Sequence, residues 1–338
     1  MMLKKVLPIA AALVAVVLLT VACTNDGTQT SSQAPNSEKN TANKNETPDQ
    51  NKATLPEPVL QKTDQGEDVK ALQQVLNQLG YQISITSKFD EMTTWAVTDF
   101  QMQQGRLPIT GIYNKVTKKA LQQKLDSNKT LTPGSALNKP DGNKKVVTNP
   151  HEVLELVNKE HSLPDGFKPK NLVVPDVNFP FDGFHEKKQM RKVAANALEK
   201  LFHAANDQAG LELFAQSGYR SYDRQDAIFA SNVEAYGEEA ANNVSARPGE
   251  SEHQTGLTMD VTSPDVGFHL NTDFGKTDEG QWLKEHAAEY GFIIRYPKDK
   301  ETITKYQYEP WHLRYVGEKA ATEIMKKGIT LEEFLGKK

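Results

Sequence analysis

The sequence has very little cysteine, with Cys23 as the single thiol among 338 residues. One thiol cannot form an intrachain disulfide, so a disulfide-stabilised scaffold is excluded. The sequence also lacks a strong charge of either sign, because 40 Lys and Arg residues nearly balance 44 Asp and Glu residues and leave a formal net charge of −4. Without a global basic field, we expect no nucleic-acid partner.

Apolar residues are scarce as well, at 37%, and much of the deficit lies in a polar tract from residue 24 to about residue 62. Such a tract cannot bury enough surface to offset its chain entropy, so we predict a disordered tether there. A second polar stretch at 126–149 predicts a linker. The chain is long enough for two domains, which we place at 63–125 and 150–338.

One apolar run is present, at residues 6–22, and it follows Lys4 and Lys5. This order of a basic segment, an apolar segment and small residues predicts a secretory signal, with a retained membrane anchor as the alternative. Residues 19–23 read LTVAC and resemble a bacterial lipobox, although Thr20 stands where leucine is commonest. The resemblance implies a lipoprotein signal peptide at 1–23, lipid attachment at Cys23, and an exported protein anchored to the outer face of the membrane and facing the cell wall.

Three amphipathic helices are predicted between residues 63 and 125. The first ends near Gly80, the second begins near Glu91, and the third covers about 114–125. The apolar residues alone are consistent with the core of any small helical bundle. The whole pattern, which includes Phe89-Asp90 and a Thr110-Gly111 pair in place of the usual Asp-Gly, resembles the small three-helix peptidoglycan-binding domain. That resemblance implies that this domain binds wall polymer.

Two segments carry the candidate chemistry: residues 251–260 read SEHQTGLTMD, and residues 309–312 read EPWH. Catalytic zinc takes three protein ligands of the His, Asp or Glu kind and keeps one position open. Gly256 allows a turn, and the alternation that follows predicts a half-buried strand with Asp260 on its polar face. The turn can bring His253 back toward Asp260, so a metal could bridge them; surface roles for both residues are the alternative.

Glu309 and His312 are three residues apart, so they share a side only where the strand is interrupted, and Pro310 is compatible with such a break. Apolar walls from Trp311 and Tyr315 would raise the basicity of a nearby carboxylate. A buried aromatic strand end with solvated charges is the alternative interpretation.

Together with residues 217–221, which read SGYRS, these segments resemble the VanY-type D-alanyl-D-alanine carboxypeptidases and the related L,D-carboxypeptidases, which trim peptidoglycan stem peptides. The resemblance covers about 150–335. It implies an α+β zinc-peptidase domain, with a small, mostly antiparallel sheet flanked by helices, preceded by the three-helix wall-binding domain.

The same resemblance assigns roles to individual residues. His253, Asp260 and His312 would bind one Zn²⁺, Glu309 would be the general base, and Arg220 would hold the oxyanion or the substrate carboxylate. The remaining candidates for substrate binding are Ser251, Gln225, Tyr219 and Trp311. We assign no role to the other six histidines, which we expect at surface or satisfied positions, and no inward direction to Glu252.

The expected reaction is removal of the C-terminal D-alanine from peptidoglycan stem peptides, with the D,D-carboxypeptidase favoured. The alternatives are an L,D-carboxypeptidase acting on tetrapeptide stems, a peptidoglycan endopeptidase, and a non-enzymatic wall-binding lipoprotein or scaffold. The expected partners are stem peptides, the wall polymer and, through the lipid, the membrane. We expect the protein to be a monomer.

Overall fold

The structure, a computed structural model, describes residues 54–137, 139 and 145–337. The predicted signal peptide, Cys23 and most of the predicted tether lie outside the described residues. Within the described part of the chain, no helix is both long enough and apolar enough to cross a membrane. All of the described residues belong to one compact unit.

The first region contains the three predicted helices, α1 (Glu67–Gln78), α2 (Glu91–Gln103) and α3 (Lys115–Asp126). Asp90 and Asn114 begin the second and third helices, since their side chains accept hydrogen bonds from backbone N–H groups of the first turn. The three helices share one apolar core, so the predicted three-helix arrangement is confirmed.

Both polar segments that flank the helical region are shorter than predicted. The tether was expected to reach residue 62, but Leu55 and Leu60 are buried in the helical core, and the backbone of Leu60 pairs with that of Tyr113. The linker was expected from residue 126, but the Asp99 carboxylate accepts hydrogen bonds from the backbone N–H groups of Ala136 and Leu137. Buried apolar contacts therefore order the end of the predicted tether, and hydrogen bonds to Asp99 hold the start of the predicted linker against the helical region.

The second region is α+β, as predicted. Its elements, in chain order, are β1 (Leu172–Val173), β2 (Met190–Arg191), α4 (Lys192–Ala209), β3 (Phe214–Ser217), α5 (Tyr222–Tyr236), α6 (Glu238–Val244), β4 (Thr258–Thr262), α7 (Asp278–His286), β5 (Phe292–Tyr296), α8 (Glu301–Thr304), β6 (Glu309–Tyr315), α9 (Glu318–Lys327) and α10 (Leu331–Phe334). The main sheet has the order β3-β4-β6-β5, and every neighbouring pair is antiparallel.

Strand β4 is buried at every position, so the prediction of a half-buried strand was wrong. The strand lies between β3 and β6, and its pairing places Asp260 opposite His312. The register between β5 and β6 shifts, because Ile294 pairs with Leu313 whereas Tyr296 pairs with Glu309. This irregularity is the interruption that the Glu309 and His312 spacing requires.

Two helix predictions also need correction. Residues 151–157 were expected to be helical, but they form turns, a bend and backbone without regular secondary structure. Their carbonyl groups are used elsewhere, since Arg314 Nη2 donates to the carbonyl oxygens of Val153 and Glu155. The helix expected from residue 186 begins at Lys192, because Met190 and Arg191 pair with β1 instead.

The helical region and the α+β region are in direct contact. Ile112 belongs to the apolar core of the α+β region, and the backbone N–H of Val153 donates to the carbonyl of Thr110. A buried ion pair joins Lys62 Nζ to Glu152 Oε1 at 2.6 Å. These contacts fix the helical region against the region that carries the candidate site.

Candidate metal centre and active site

The structure brings the three predicted metal ligands together. His253 lies in a 3₁₀ turn (Glu252–Thr255), Asp260 lies on β4, and His312 lies on β6. All three side chains are buried, and one ligand atom from each lies within 4.8 Å of the others. His253 Nε2 is 3.5 Å from Asp260 Oδ2, and His312 Nδ1 is 3.2 Å from Asp260 Oδ1.

The turn after His253 is what returns the chain to this site. Gly256 has a φ of 67°, in the left-handed region that favours glycine, and a Cβ there would approach the side chains of Leu172 and Arg191 to 3.0 and 3.2 Å. His253 Nδ1 lies 2.8 Å from the carbonyl oxygen of Gly218. A carbonyl can only accept, so Nδ1 carries the proton and Nε2 is free to coordinate a metal.

The donor set fits zinc. Two imidazole nitrogens and one carboxylate form a three-ligand site with room for a fourth ligand. Among the described residues, Asp260 Oδ1 is buried and accepts no hydrogen bond, although His312 Nδ1 lies 3.2 Å away, and a cation bound between the two groups would satisfy both. Glu309 Oε2 is 3.4 Å from His312 Nδ1, so the predicted base lies at the edge of the same site.

A second carboxylate, which the sequence analysis left without a role, lies behind His312. Glu252 is fully buried, and its Oε2 is 3.6 Å from His312 Nε2. Its Oε1 accepts hydrogen bonds from Arg295 Nε at 2.8 Å and from Arg314 Nη1 at 2.6 Å. Arg295 also forms two hydrogen bonds to Glu332 of α10, at 2.7 and 3.0 Å. A carboxylate behind a ligating imidazole fixes the orientation of the ring.

One signal in the sequence could have indicated that a buried carboxylate is needed here. Arg295 lies within the apolar strand segment FIIRY, and Arg314 lies within the segment WHLRY. A charge on a buried strand is costly unless a charge of opposite sign meets it. Two such arginines therefore require a buried carboxylate, although the sequence does not say which one.

The pKa values at the site follow from burial and charge. Burial raises the pKa of Glu309 to about 7, and the carboxylates of Asp260 and Glu252 act in the same direction, whereas His312 and Arg220 oppose the rise. Burial alone would lower the pKa of His312, but the neighbouring carboxylates of Asp260 and Glu252 raise it to about 9. Burial lowers the pKa of His253 to about 4 despite the neighbouring Asp260. A largely buried carboxylate whose pKa lies near neutrality, beside three buried ligand residues, is typical of a catalytic centre.

Arg220 is held at the site by hydrogen bonds that the sequence did not predict. Its backbone N–H donates to the carbonyl of His253 at 3.2 Å, and its Nη1 donates to Gln225 Oε1 at 2.9 Å. The Gln225 amide nitrogen is held in turn by the carbonyl of Ala246 at 2.6 Å. Gln225 is fully buried, so in this structure it orients Arg220 and does not line the cleft.

A cleft of about 260 Å³ opens over the three ligands. It is lined by two of the other predicted substrate-binding residues, Ser251 and Trp311, together with Arg220 and Glu309. Tyr219 instead lines a neighbouring cleft of about 500 Å³, to which Arg220 also contributes. The sequence analysis missed two aromatic residues of the first cleft, Tyr296 and Tyr306, which are stacked with ring centroids 4.5 Å apart.

Comparison with known proteins agrees with this geometry. The family pattern described as "VanY: D-alanyl-D-alanine carboxypeptidase" matches residues 187–318, and the pattern described as "Putative peptidoglycan binding domain" matches residues 65–121. The chain is 50% identical to "Putative carboxypeptidase YodJ" of Bacillus subtilis (strain 168) over 231 residues, which are 65% of this chain and 84% of that protein.

Two further relatives bear on the type of reaction. The bifunctional D-Ala-D-Ala dipeptidase and carboxypeptidase VanXYC of Enterococcus gallinarum is 33% identical, over 54% of this chain and 92% of that protein. The solved structure of the L,D-carboxypeptidase LdcB is 53% identical, covers 60% of this chain and 93% of its own, and superposes with a TM-score of 0.56.

Proposed function

Because this chain belongs to the VanY family of D-alanyl-D-alanine carboxypeptidases, we propose that it is a zinc-dependent carboxypeptidase that removes the C-terminal D-amino acid from peptidoglycan stem peptides. The observation that carries the proposal is the buried group of His253, Asp260 and His312, with Glu309 beside it and a cleft above it.

Each part of the site has a distinct task. His253, Asp260 and His312 would hold the zinc ion, which supplies a Lewis acid for the scissile carbonyl. Glu309 takes a proton from the attacking water and passes it to the leaving amine nitrogen. Arg220 offers a guanidinium that suits the terminal carboxylate or the negative charge on the carbonyl oxygen. Glu252 keeps the His312 ring in the orientation that presents Nδ1 to the metal.

Two substrates are supported by different observations. The description of the family and the relative VanXYC favour the pentapeptide stem, which ends in D-Ala-D-Ala. The L,D-carboxypeptidase LdcB, at 53% identity, favours the tetrapeptide stem. Since the identity to LdcB is clearly higher than the 33% to VanXYC, we place the tetrapeptide first.

The experiment uses the chain from residue 54 onward, because Leu55 and Leu60 are part of the helical core. This protein is incubated with tetrapeptide and pentapeptide stems, with and without a chelator, and the products are weighed by mass spectrometry. Chelator-sensitive loss of one D-alanine from either stem supports the proposal and assigns the type. Intact stems in the presence of zinc-loaded protein would contradict it and leave the endopeptidase or the wall-binding lipoprotein.

We further propose that the protein is exported as a monomer and lipid-anchored through Cys23 on the outer face of the membrane, with residues 65–121 bound to the wall polymer. The signal-like N-terminus supports export and the lipid anchor, and the match to the peptidoglycan-binding family supports binding to the wall polymer. Replacement of Cys23 by alanine should move the protein from the membrane fraction to the soluble fraction. Unchanged membrane attachment would instead indicate a retained transmembrane anchor.

A further inference from the structure

A second cleft, of about 360 Å³, lies where the helical region meets the α+β region, and it shares no lining residue with the zinc cleft. The loop after α2 contributes residues 106–109, and β2 and the first turns of α4 form the opposite side. The guanidinium of Arg191 connects the two sides, since its Nη2 donates to the carbonyl oxygens of Ile109 and His151.

The charge of this cleft is strongly unbalanced. Five cationic side chains line it, whereas Glu318 is its single acidic lining residue. None of the five forms an ion pair with a carboxylate anywhere in the part of the chain that the structure describes, although many other lysines do. The five are Arg106, Lys170, Arg191, Lys192 and Lys200.

Arg191 is the strongest evidence for a ligand. The residue is only 4% exposed, yet its Nη1 has no hydrogen-bond partner among the described residues. Within the described part of the chain, its side chain donates to two neutral carbonyl groups and to no carboxylate, whereas a buried cation is normally paired with an anion. His151, which is 8% exposed, lines the same cleft and also has an unpartnered Nδ1. Two buried nitrogen atoms are therefore left without partners beside this cleft.

The start of α4 adds to the positive field. The positive end of a helix dipole is normally met by Asp or Glu, but the first turn of α4 has no acidic residue and no capping side chain. It is preceded by Arg191 and begins with Lys192, so both nearby charges have the unfavourable sign. These charges do not stabilise the helix, whereas the same positive field would stabilise a bound anion.

We propose that this cleft binds a phosphate-bearing ligand and is a second binding site of the protein. Five cations facing one carboxylate suit an anion with several negative charges better than a single carboxylate group, and guanidinium groups bind phosphate through paired hydrogen bonds. The volume is larger than a free phosphate needs, and Tyr290 and Tyr315 supply aromatic surface for a carbon skeleton. The ligand is a phosphodiester polymer of the wall or a free phosphorylated molecule.

The test measures binding by calorimetry, on the zinc-loaded chain from residue 54 onward. The probes are inorganic phosphate, pyrophosphate, citrate, a phosphodiester wall polymer, and peptidoglycan from which phosphodiesters have been removed. Pyrophosphate should bind more tightly than citrate, and added salt should weaken the binding. Binding of the polymer identifies the wall as the source, whereas binding of pyrophosphate alone identifies a free phosphorylated molecule.

A matched pair of variants locates the site. Lys192→Gln/Lys200→Gln removes two exposed cations of the cleft, and Lys284→Gln/Lys326→Gln removes two exposed helical lysines elsewhere. The first variant should bind pyrophosphate roughly tenfold more weakly, which corresponds to about 1.4 kcal/mol, and the second should match the parent protein. Equal binding by the two variants, equal affinity for citrate and pyrophosphate, or no binding of any phosphate probe would overturn the proposal.

Discussion

The buried guanidinium groups of the two clefts have different hydrogen-bond partners. Beside the zinc site, Arg295 and Arg314 are fully buried, and both donate to the Glu252 carboxylate at 2.6 to 2.8 Å. In the cleft between the two regions, Arg191 is almost as buried, but among the residues described in the structure its guanidinium donates only to backbone carbonyls. The first arrangement neutralises its charges internally and places a carboxylate 3.6 Å from the ring of the predicted metal ligand His312. The second arrangement leaves the charge of Arg191 free to bind an anion. We therefore regard the first arrangement as a structural network and the second as a candidate binding site.

Removal of Arg295 should have the largest effect on folding. Arg295→Met leaves the carboxylates of Glu252 and Glu332 buried with too few cations. Loss of one partner from a buried ion network costs about 3–5 kcal/mol. Urea unfolding of the variant and of the parent protein measures this difference. A cost below about 1 kcal/mol would mean that the network is not a supporting one.

Glu252→Gln tests the same network from its centre. The amide keeps the shape of the side chain but loses the charge that faces His312 Nε2. Changes behind a metal-ligating histidine typically lower metal affinity about 10–100-fold. Competition with a coloured chelator measures the zinc affinity, and near-ultraviolet circular dichroism shows whether the fold is retained. Unchanged affinity in a folded variant would show that Glu252 does not orient the ligand.

Arg191→Met should have a smaller effect than Arg295→Met, which is the sharpest contrast between the two clefts. This change leaves no buried carboxylate unpaired in the described structure, but it removes the donor to the carbonyl groups of Ile109 and His151. We expect a cost of about 1–2 kcal/mol in urea unfolding. A cost equal to that of Arg295→Met would show that the two arginines have the same structural role.

The pH dependence of kcat/KM, which has the smallest expected effect, tests the role of Glu309 in the zinc cleft. Glu309 must be ionised to accept a proton, and burial raises its pKa to about 7. The value of kcat/KM should therefore fall as the pH drops through this pKa, by up to tenfold per pH unit below it. A bound divalent cation favours the ionised form, so the midpoint should lie at or below about 7. A midpoint clearly above 7, or the same acid limb of the profile in Glu309→Gln as in the parent protein, would contradict the role of Glu309 as base.

Local patterns predicted much of this molecule. Helix α5 begins and ends at the residues expected, and His253, Asp260 and His312 meet as the family resemblance implied. The helix depends on one short segment, whereas the three ligands come from distant segments that only the resemblance joined. The fully buried state of β4 depends on its neighbours in the sheet, so its alternating pattern gave the wrong exposure.

The features that sequence reasoning missed all depend on distant partners. Glu252 acquires its role from Arg295, 43 residues later in the chain, and from Arg314, which is 62 residues later. The basic cleft combines residues from the helical region and from α4, and no single segment contains its pattern. Gln225 was predicted to contact substrate, but its position under Arg220 depends on the loop that carries Ala246.

The most direct test of the central claim is to compare Glu309→Gln with His253→Ala on the stem peptide that the parent protein cleaves, with zinc measured in both variants. Glu309→Gln removes the proton acceptor and keeps all three ligands, so we expect one zinc ion per chain and turnover lowered by about 10²–10⁴-fold. His253→Ala removes a ligand, so both zinc and turnover should be lost. Rates near those of the parent protein in Glu309→Gln, or a full zinc content in His253→Ala, would contradict the account.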